Sequence, residues 1–88
     1  MNVSYTPSFV RMLKKLPKNL IDEVLEKIEL FRDPENHEVL KVHKLSSRLK
    51  DRYSFSVNYK IRIIFTYLPI KPQEVLLLAV GDHDVYDL

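Results

Sequence analysis

The chain has 88 residues, enough for one domain with a modest core but too few for two. It contains no cysteine, which excludes disulfides and thiolate zinc sites, and a reducing cytoplasm is the expected location. Hydrophobic residues make up 45% and charged residues 30%, a globular composition, with neither a signal peptide nor an apolar run long enough to span a membrane. We therefore expect a cytoplasmic protein without a membrane partner.

The formal net charge of +2 conceals a basic segment in the middle of the chain. Residues 39–62 carry seven basic side chains and one acidic side chain, whereas the parts before and after sum to −1 and −3. Because neutralising phosphates provides most sequence-independent affinity for nucleic acid, this segment fits an RNA or DNA partner. A solvated basic loop, or an interface with an acidic protein, would carry the same charge.

The first half of the chain predicts a short strand, NVSY, followed by two helices. Thr6 is suited to cap the first helix and Pro7 to open it. Pro17 is expected to open the second helix, which ends near Asp33. Apolar residues recur at helical spacing in both segments, so each helix has one apolar side. These residues are Phe9, Leu13 and Leu16, then Leu20, Ile21, Val24, Leu25, Ile28 and Phe31.

The second half alternates with the two-residue period of half-buried strands. RYSFSV and YKIRIIFTY are predicted to form a hairpin that turns at Asn58, with the second strand starting at Tyr59. LPIKP is a further turn, and QEVLLLAV is apolar on both faces, as expected for an interior strand. The predicted fold class is α+β: an N-terminal strand and a helical hairpin packed on an antiparallel β-sheet.

The alternation also assigns the two faces of this sheet. We expect Phe55, Ile61, Ile63, Phe65 and Leu77 to pack against Leu13, Val24 and Ile28 of the helices. The side chains between them then point away together and form a basic surface. Its predicted members are Arg52, Ser54, Ser56, Lys60 and Arg62.

Directly after the interior strand the chain ends with its only glycine in GDHDVYDL. Cutting RNA without a metal requires a base for the 2′-OH, a cation for the phosphate, an acid for the leaving oxygen and a group that stacks on a base. His83 or His43 can transfer protons, Arg62 can bind phosphate and Tyr86 can stack. The alternatives are structural: His83 caps the strand, Arg62 pairs with Asp82 or Glu74, and Tyr86 packs the C-terminus.

Other chemistries find little support in the sequence. A single glycine excludes a glycine-rich phosphate loop, and the histidines lack the converging spacing of a zinc site. No cofactor and no metal are expected.

The chain resembles the RelE/ParE superfamily of toxins from bacterial and archaeal toxin–antitoxin pairs. The resemblance is carried by SFVRMLKKLP, by the block VHKLSSRLKDRYSFSVNYKIRIIF and by the strand leading to VGDHDVY. It implies a microbial RNase-like fold and a cognate antitoxin, with operator DNA bound only through the antitoxin complex. In the RelE branch it also implies cleavage of messenger RNA in the ribosomal A site by 2′-OH attack on the adjacent phosphate.

The resemblance implies catalytic roles for Arg62, His83 and Tyr86. Ser54 and Ser56 stand where the best-studied branch has two lysines, so His83 or His43 must do more of the acid–base work. Two alternatives remain open: a ParE-like DNA gyrase inhibitor, and a non-catalytic member that binds antitoxin and operator DNA. The residues expected to bind RNA are Lys41, His43, Lys44, Arg48, Lys50, Arg52 and Lys60.

Overall fold

The N-terminal strand β1 (Asn2–Tyr5) becomes one edge of a five-stranded sheet. The computed structural model describes residues 1–45, 51–82 and 85. The other strands are β2 (His43–Lys44), β3 (Tyr53–Ser56), β4 (Arg62–Leu68) and β5 (Glu74–Gly81), and the order across the sheet is β1-β5-β4-β3-β2.

The β3–β4–β5 meander is antiparallel, as predicted, but β1 runs parallel to β5. The sheet is therefore mixed. Two strands joined by a tight hairpin must be antiparallel, whereas two strands separated by intervening helices and strands can also run parallel. β5 lies between β1 and β4, which confirms its interior position. The two-residue strand β2 was not predicted from the sequence.

Two helices follow β1 at the predicted positions. α1 (Pro7–Lys14) is capped by Thr6, whose hydroxyl oxygen accepts a hydrogen bond from the Phe9 amide at 3.0 Å. The Thr6 amide donates to the carbonyl of Leu77 at 3.1 Å, so α1 begins against β5. α2 (Lys18–Phe31) starts directly after Pro17, and a short 3-10 helix, Pro34–Asn36, follows it. No helix in the described part of the chain has the length and apolar character needed to cross a bilayer.

The main core lies between the helices and one face of the sheet, and Phe31 occupies its centre. The Phe31 ring stacks on Phe55 with centroids 4.3 Å apart and meets Phe65 edge-on at 4.8 Å. The predicted sheet residues Phe55, Ile61, Ile63, Phe65 and Leu77 are buried in this core with Val24 and Ile28, and Leu13 packs against it. The predicted core face is therefore confirmed.

The connection between β3 and β4 differs from the prediction. Strand β4 begins at Arg62, and Tyr59 and Lys60 belong to a loop, residues 57–60. The Asn58 side-chain oxygen accepts from the amides of Lys60 at 2.8 Å and Ile61 at 2.7 Å, which draws these residues into the turn. Tyr59 is 89% exposed, so its predicted place on the core face is wrong.

The second face of the sheet is the one opposite the core around Phe31. One of its rows runs Ser54, Ile64, Ala79, and the neighbouring row runs Ser56, Arg62, Gly81. In the first row, Ile64 and Ala79 are buried in a small apolar cluster with Val85, and Ser54 is buried as well. The predicted continuous basic surface is therefore wrong in its middle, because alternation along the strands does not reveal that Val85 packs back onto them.

An irregularity in β5 explains why its apolar residues serve both faces. Phe65 pairs with Leu77 while Ile64 pairs with Ala79, so Leu78 is an extra residue in β5. Such a bulge changes which face the following residues occupy. Leu77 thus packs in the main core and Ala79 on the second face.

Candidate functional site

Arg62 lies at the start of β4, half-buried, with Ser56 opposite it on β3 and Gly81 opposite it on β5. Its Nη1 donates hydrogen bonds to the carbonyl oxygens of Asn58 and Ile61, the latter at 3.2 Å. Within the described residues its hydrogen bonds all come from Nη1. The other two guanidinium nitrogens are those that form a fork onto a phosphate. The arginine is thus held by the backbone and not by the carboxylates proposed as alternatives.

The loop that holds Arg62 is itself attached to α2. The Asn58 side-chain nitrogen donates to Glu23 Oε1 at 2.6 Å, while the Asn58 side-chain oxygen closes the loop. The backbone of Val57 adds a further bond, from its amide to the Ile61 carbonyl at 2.9 Å. These contacts fix the carbonyl to which Arg62 binds. Asn58 was identified from the sequence only as a turn residue, and nothing in the sequence indicated Glu23.

A cleft of about 370 Å³ opens beside Arg62, between α2, residues 39–41 and the loop 57–60. Its described lining includes the cations Lys27, Lys41 and Arg62 and no carboxylate. Lys41 lies at the end of a helical turn, in which its amide donates to the Glu38 carbonyl at 3.1 Å. Its backbone has a positive φ of 59°, which is uncommon for a residue other than glycine. A concave surface of this charge attracts anions.

His43 lies on the edge strand β2, exposed and opposite Ser54. Its Nδ1 is 2.8 Å from the carbonyl oxygen of Lys41. A carbonyl only accepts, so Nδ1 carries the hydrogen and the neutral ring keeps its lone pair on Nε2, as a general base requires. Strand spacing places the Cα atoms of His43 and Arg62 ~12 Å apart, a gap that a ribose and its phosphate can fill.

The two serines of β3 have different surroundings. Ser54 is fully buried, in the row of Ile64 and Ala79, whereas Ser56 is half-buried and lines the cleft with Arg62. Only the position of Ser56 is thus directly accessible beside the arginine.

Three other predicted RNA-binding residues fall within the part of the chain that the structure describes, and they do not converge on the cleft. Lys44 is exposed opposite Tyr53, and Lys60 is exposed in the loop 57–60. Arg52 lies farther along the second face, where it lines a separate pocket of about 310 Å³ with Ile64. Arg48, Lys50, His83 and Tyr86 lie outside the described residues.

The described part of the tail leaves the sheet next to Arg62. β5 ends at Gly81, the residue opposite Arg62, and the Val85 amide then donates to the Asp82 carbonyl at 3.1 Å. A Cβ atom on Gly81 would lie 2.8 Å from Val85 Cγ1, closer than such atoms approach. The single glycine therefore allows the chain to turn back onto the second face.

No protein-family model matches the sequence, and no curated protein matches it either. Solved structures do match over nearly the whole length. YafQ from Escherichia coli superimposes with a TM-score of 0.76 at 16% identity, over 97% of this chain and 96% of that chain.

Two further matches are complexes. The archaeal RelE–RelB complex from Pyrococcus horikoshii matches with a TM-score of 0.70 at 23% identity, over 92% of each chain. The toxin–antitoxin complex RelBE2 from Mycobacterium tuberculosis matches with a TM-score of 0.70 at 22% identity, over 93% of this chain and 96% of that chain. Across its whole length, the chain has the fold of the RelE, YafQ, YoeB and ParE toxins.

Proposed function

We propose that this chain is the toxin of a type II toxin–antitoxin pair and that it cleaves messenger RNA in the ribosomal A site. The observation that carries the proposal is the backbone-held guanidinium of Arg62, which lies beside Lys41 in a cleft whose described charges are all positive. Such a site suits a phosphodiester, because positioned cations stabilise the charge that develops on its oxygens. The shared fold is consistent with this role.

In the proposed reaction, a base removes the proton of the ribose 2′-OH and the 2′-oxygen attacks the adjacent phosphorus. The bond from phosphorus to the 5′-oxygen breaks, and an acid gives that oxygen a proton. The products are a 2′,3′-cyclic phosphate and a 5′-hydroxyl end. Every step is a proton transfer or a displacement at phosphorus, so side chains suffice without a cofactor.

The roles are assigned as follows. Arg62 binds the scissile phosphate and opposes its developing charge. His43, with its basic Nε2, is the base, and His83 is the acid. Tyr86 stacks on a nucleobase. Backbone phosphates are bound by Lys41 and by the further cations Lys44, Arg48, Lys50, Arg52 and Lys60.

We further propose a cognate antitoxin in the cytoplasm, with operator DNA bound only through the toxin–antitoxin complex. RelBE2 is a toxin–antitoxin complex, and in the RelE–RelB complex and in the Escherichia coli DinJ–YafQ complex the matched chain has this fold and is bound to a second protein. The cationic cleft calls for an antitoxin segment that carries acidic and apolar residues. An antitoxin segment bound in the cleft would prevent messenger RNA from reaching Arg62.

The test is single-turnover cleavage of a message positioned in ribosomes, with the ends mapped by primer extension. The wild-type protein should cut within the A-site codon and leave a cyclic phosphate, and Arg62→Ala should not cut at a comparable rate. The matched control is Arg11→Ala, because Arg11 is an exposed arginine on α1 whose side chain, among the described residues, forms a hydrogen bond only to Ser8. Growth arrest without any cleavage, together with inhibition of gyrase supercoiling, would overturn the nuclease in favour of a gyrase inhibitor.

A further inference from the structure

The loop between β3 and β4 carries an exposed aromatic ring beside the proposed phosphate site. Tyr59 is 89% exposed, more than any other large hydrophobic residue in the described part of the chain. It lines the same cleft as Lys41 and Arg62. A ring this exposed contributes little to the core of the protein.

The backbone under Tyr59 is held in place although its side chain is exposed. On one side of it, Asn58 accepts from the amides of Lys60 and Ile61 and donates to Glu23 on α2. Three residues farther along, Arg62 returns a hydrogen bond to the Asn58 carbonyl. The ring and the arginine are therefore carried by one small hydrogen-bonded unit, which sets the spacing between them.

We propose that Tyr59 stacks on a nucleobase next to the phosphate held by Arg62, and so helps to bind single-stranded RNA. The inference rests on the proposed function and adds to it a residue that positions the substrate. Proteins that hold single strands combine a cationic groove with aromatic rings on which bases stack, and this cleft has both. The three described cations of the cleft favour a polyanion. Every nucleotide also carries a planar base, and the planar ring of Tyr59 can stack on it.

The cleft also exposes aliphatic side chains, since Val39 is 81% and Leu30 40% exposed on its walls. An acidic and apolar protein segment could use these residues together with Tyr59. Such contacts would make Tyr59 part of a protein interface instead of an RNA site. A fluorescent RNA probe distinguishes the RNA-stacking role of Tyr59 from a role in a protein interface.

The probe is a ribosome-bound message with 2-aminopurine beside the cleavage position and a 2′-deoxyribose that prevents cleavage. Stacking on an aromatic ring quenches this fluorophore. The wild type, Tyr59→Phe and Tyr59→Trp should quench it, whereas Tyr59→Leu should not. With a cleavable message, Tyr59→Leu should raise the half-saturating protein concentration roughly tenfold, within the range of a lost base stack, while the plateau rate falls less.

Two controls make the result specific. Ile70 is another apolar residue on the surface, 50% exposed, in the turn between β4 and β5. Ile70→Ala should leave quenching and cleavage unchanged. Lys41→Ala should reduce the salt dependence of binding, because it removes a phosphate contact, whereas Tyr59→Leu should leave that dependence unchanged.

The outcomes also separate this inference from the proposed function. If the wild type neither cleaves nor quenches, the nuclease proposal itself fails. Should the wild type cleave normally and Tyr59→Leu behave like it, the stacking role is refuted and the nuclease stands. A Tyr59→Leu protein that loses affinity for the antitoxin but keeps full quenching would place Tyr59 in the protein interface.

Discussion

Asn58 joins Glu23 of helix α2 to the candidate site: its side-chain nitrogen donates to Glu23 Oε1 at 2.6 Å, and its carbonyl accepts from Arg62. The two residues are 35 positions apart in the chain. Through this link, helix α2 holds the loop from which Arg62, the arginine proposed to bind phosphate, takes its orientation. The link therefore gives a way to disturb the site without touching a group that reacts.

Replacing Asn58 with alanine should loosen Arg62. The variant loses three side-chain hydrogen bonds, and we expect a loss of about 1–3 kcal/mol in the free energy of unfolding. Cleavage should fall at least tenfold, since the guanidinium is no longer held in place. Glu23→Gln is the matched control, because its amide oxygen still accepts from Asn58. Urea unfolding and single-turnover cleavage check both, and a folded Asn58→Ala protein with full activity would contradict the positioning role.

Arg62 should tolerate neither alanine nor lysine. Removing the guanidinium leaves the phosphate charge unopposed and should cost about 10² to 10³ in rate. Lysine keeps the charge but lacks the planar fork, so we expect an intermediate loss. Thermal melts confirm folding in each case. If Arg62→Lys were as active as the wild type, the positive charge alone would matter at this position, and the planar geometry of the guanidinium would not.

Truncating Ile63 to alanine tests the assignment of the core face. Ile63 is fully buried among the helices and the sheet, and comparable truncations cost about 2–5 kcal/mol. Ile70→Ala removes the same atoms from an exposed turn and should cost under about 0.5 kcal/mol. Chemical denaturation of both proteins supplies the comparison. Equal losses would show that Ile63 is not packed as described.

Gly81→Ala should disturb the return of the tail. The new methyl group would meet Val85 Cγ1 at 2.8 Å, and such crowding costs about 1–3 kcal/mol. Val85→Ala removes the opposing atom, so the double variant should lose less stability than the two single losses added together. A strictly additive result would show that the two residues do not touch.

Tyr67 predicts a stability change at alkaline pH. Burial raises the pKa of the Tyr67 phenol above its ordinary value of 10.0, and the neighbouring Tyr53 raises it further. The folded state holds this proton more tightly than the unfolded state. Its contribution to the free energy of unfolding is therefore fully present below pH 10 and is lost as the pH rises through the folded pKa. Tyr67→Phe should therefore lose less stability than wild type as the pH is raised above about 10 in urea unfolding. Parallel curves for the two proteins would contradict this.

Local patterns in the sequence were enough to predict both helices, the meander and the core face. Thr6 and Pro7 specify a helix start through the backbone groups nearest to them, and the alternation of Phe55, Ile63 and Phe65 follows from the two-residue period of a strand. Arg62 could be singled out for a related reason, since a charge between isoleucines requires a partner.

The tertiary structure decided what those patterns leave open. The parallel pairing of β1 with β5, the packing of Val85 with Ile64 and the bond from Asn58 to Glu23 all join residues that are distant in the chain. Periodicity reports which side of its own element a residue occupies, and it contains no information about which other element covers that side. The support of the loop that holds Arg62 and the extent of the cleft beside it therefore emerge only when α2, residues 39–41 and the loop 57–60 are packed together.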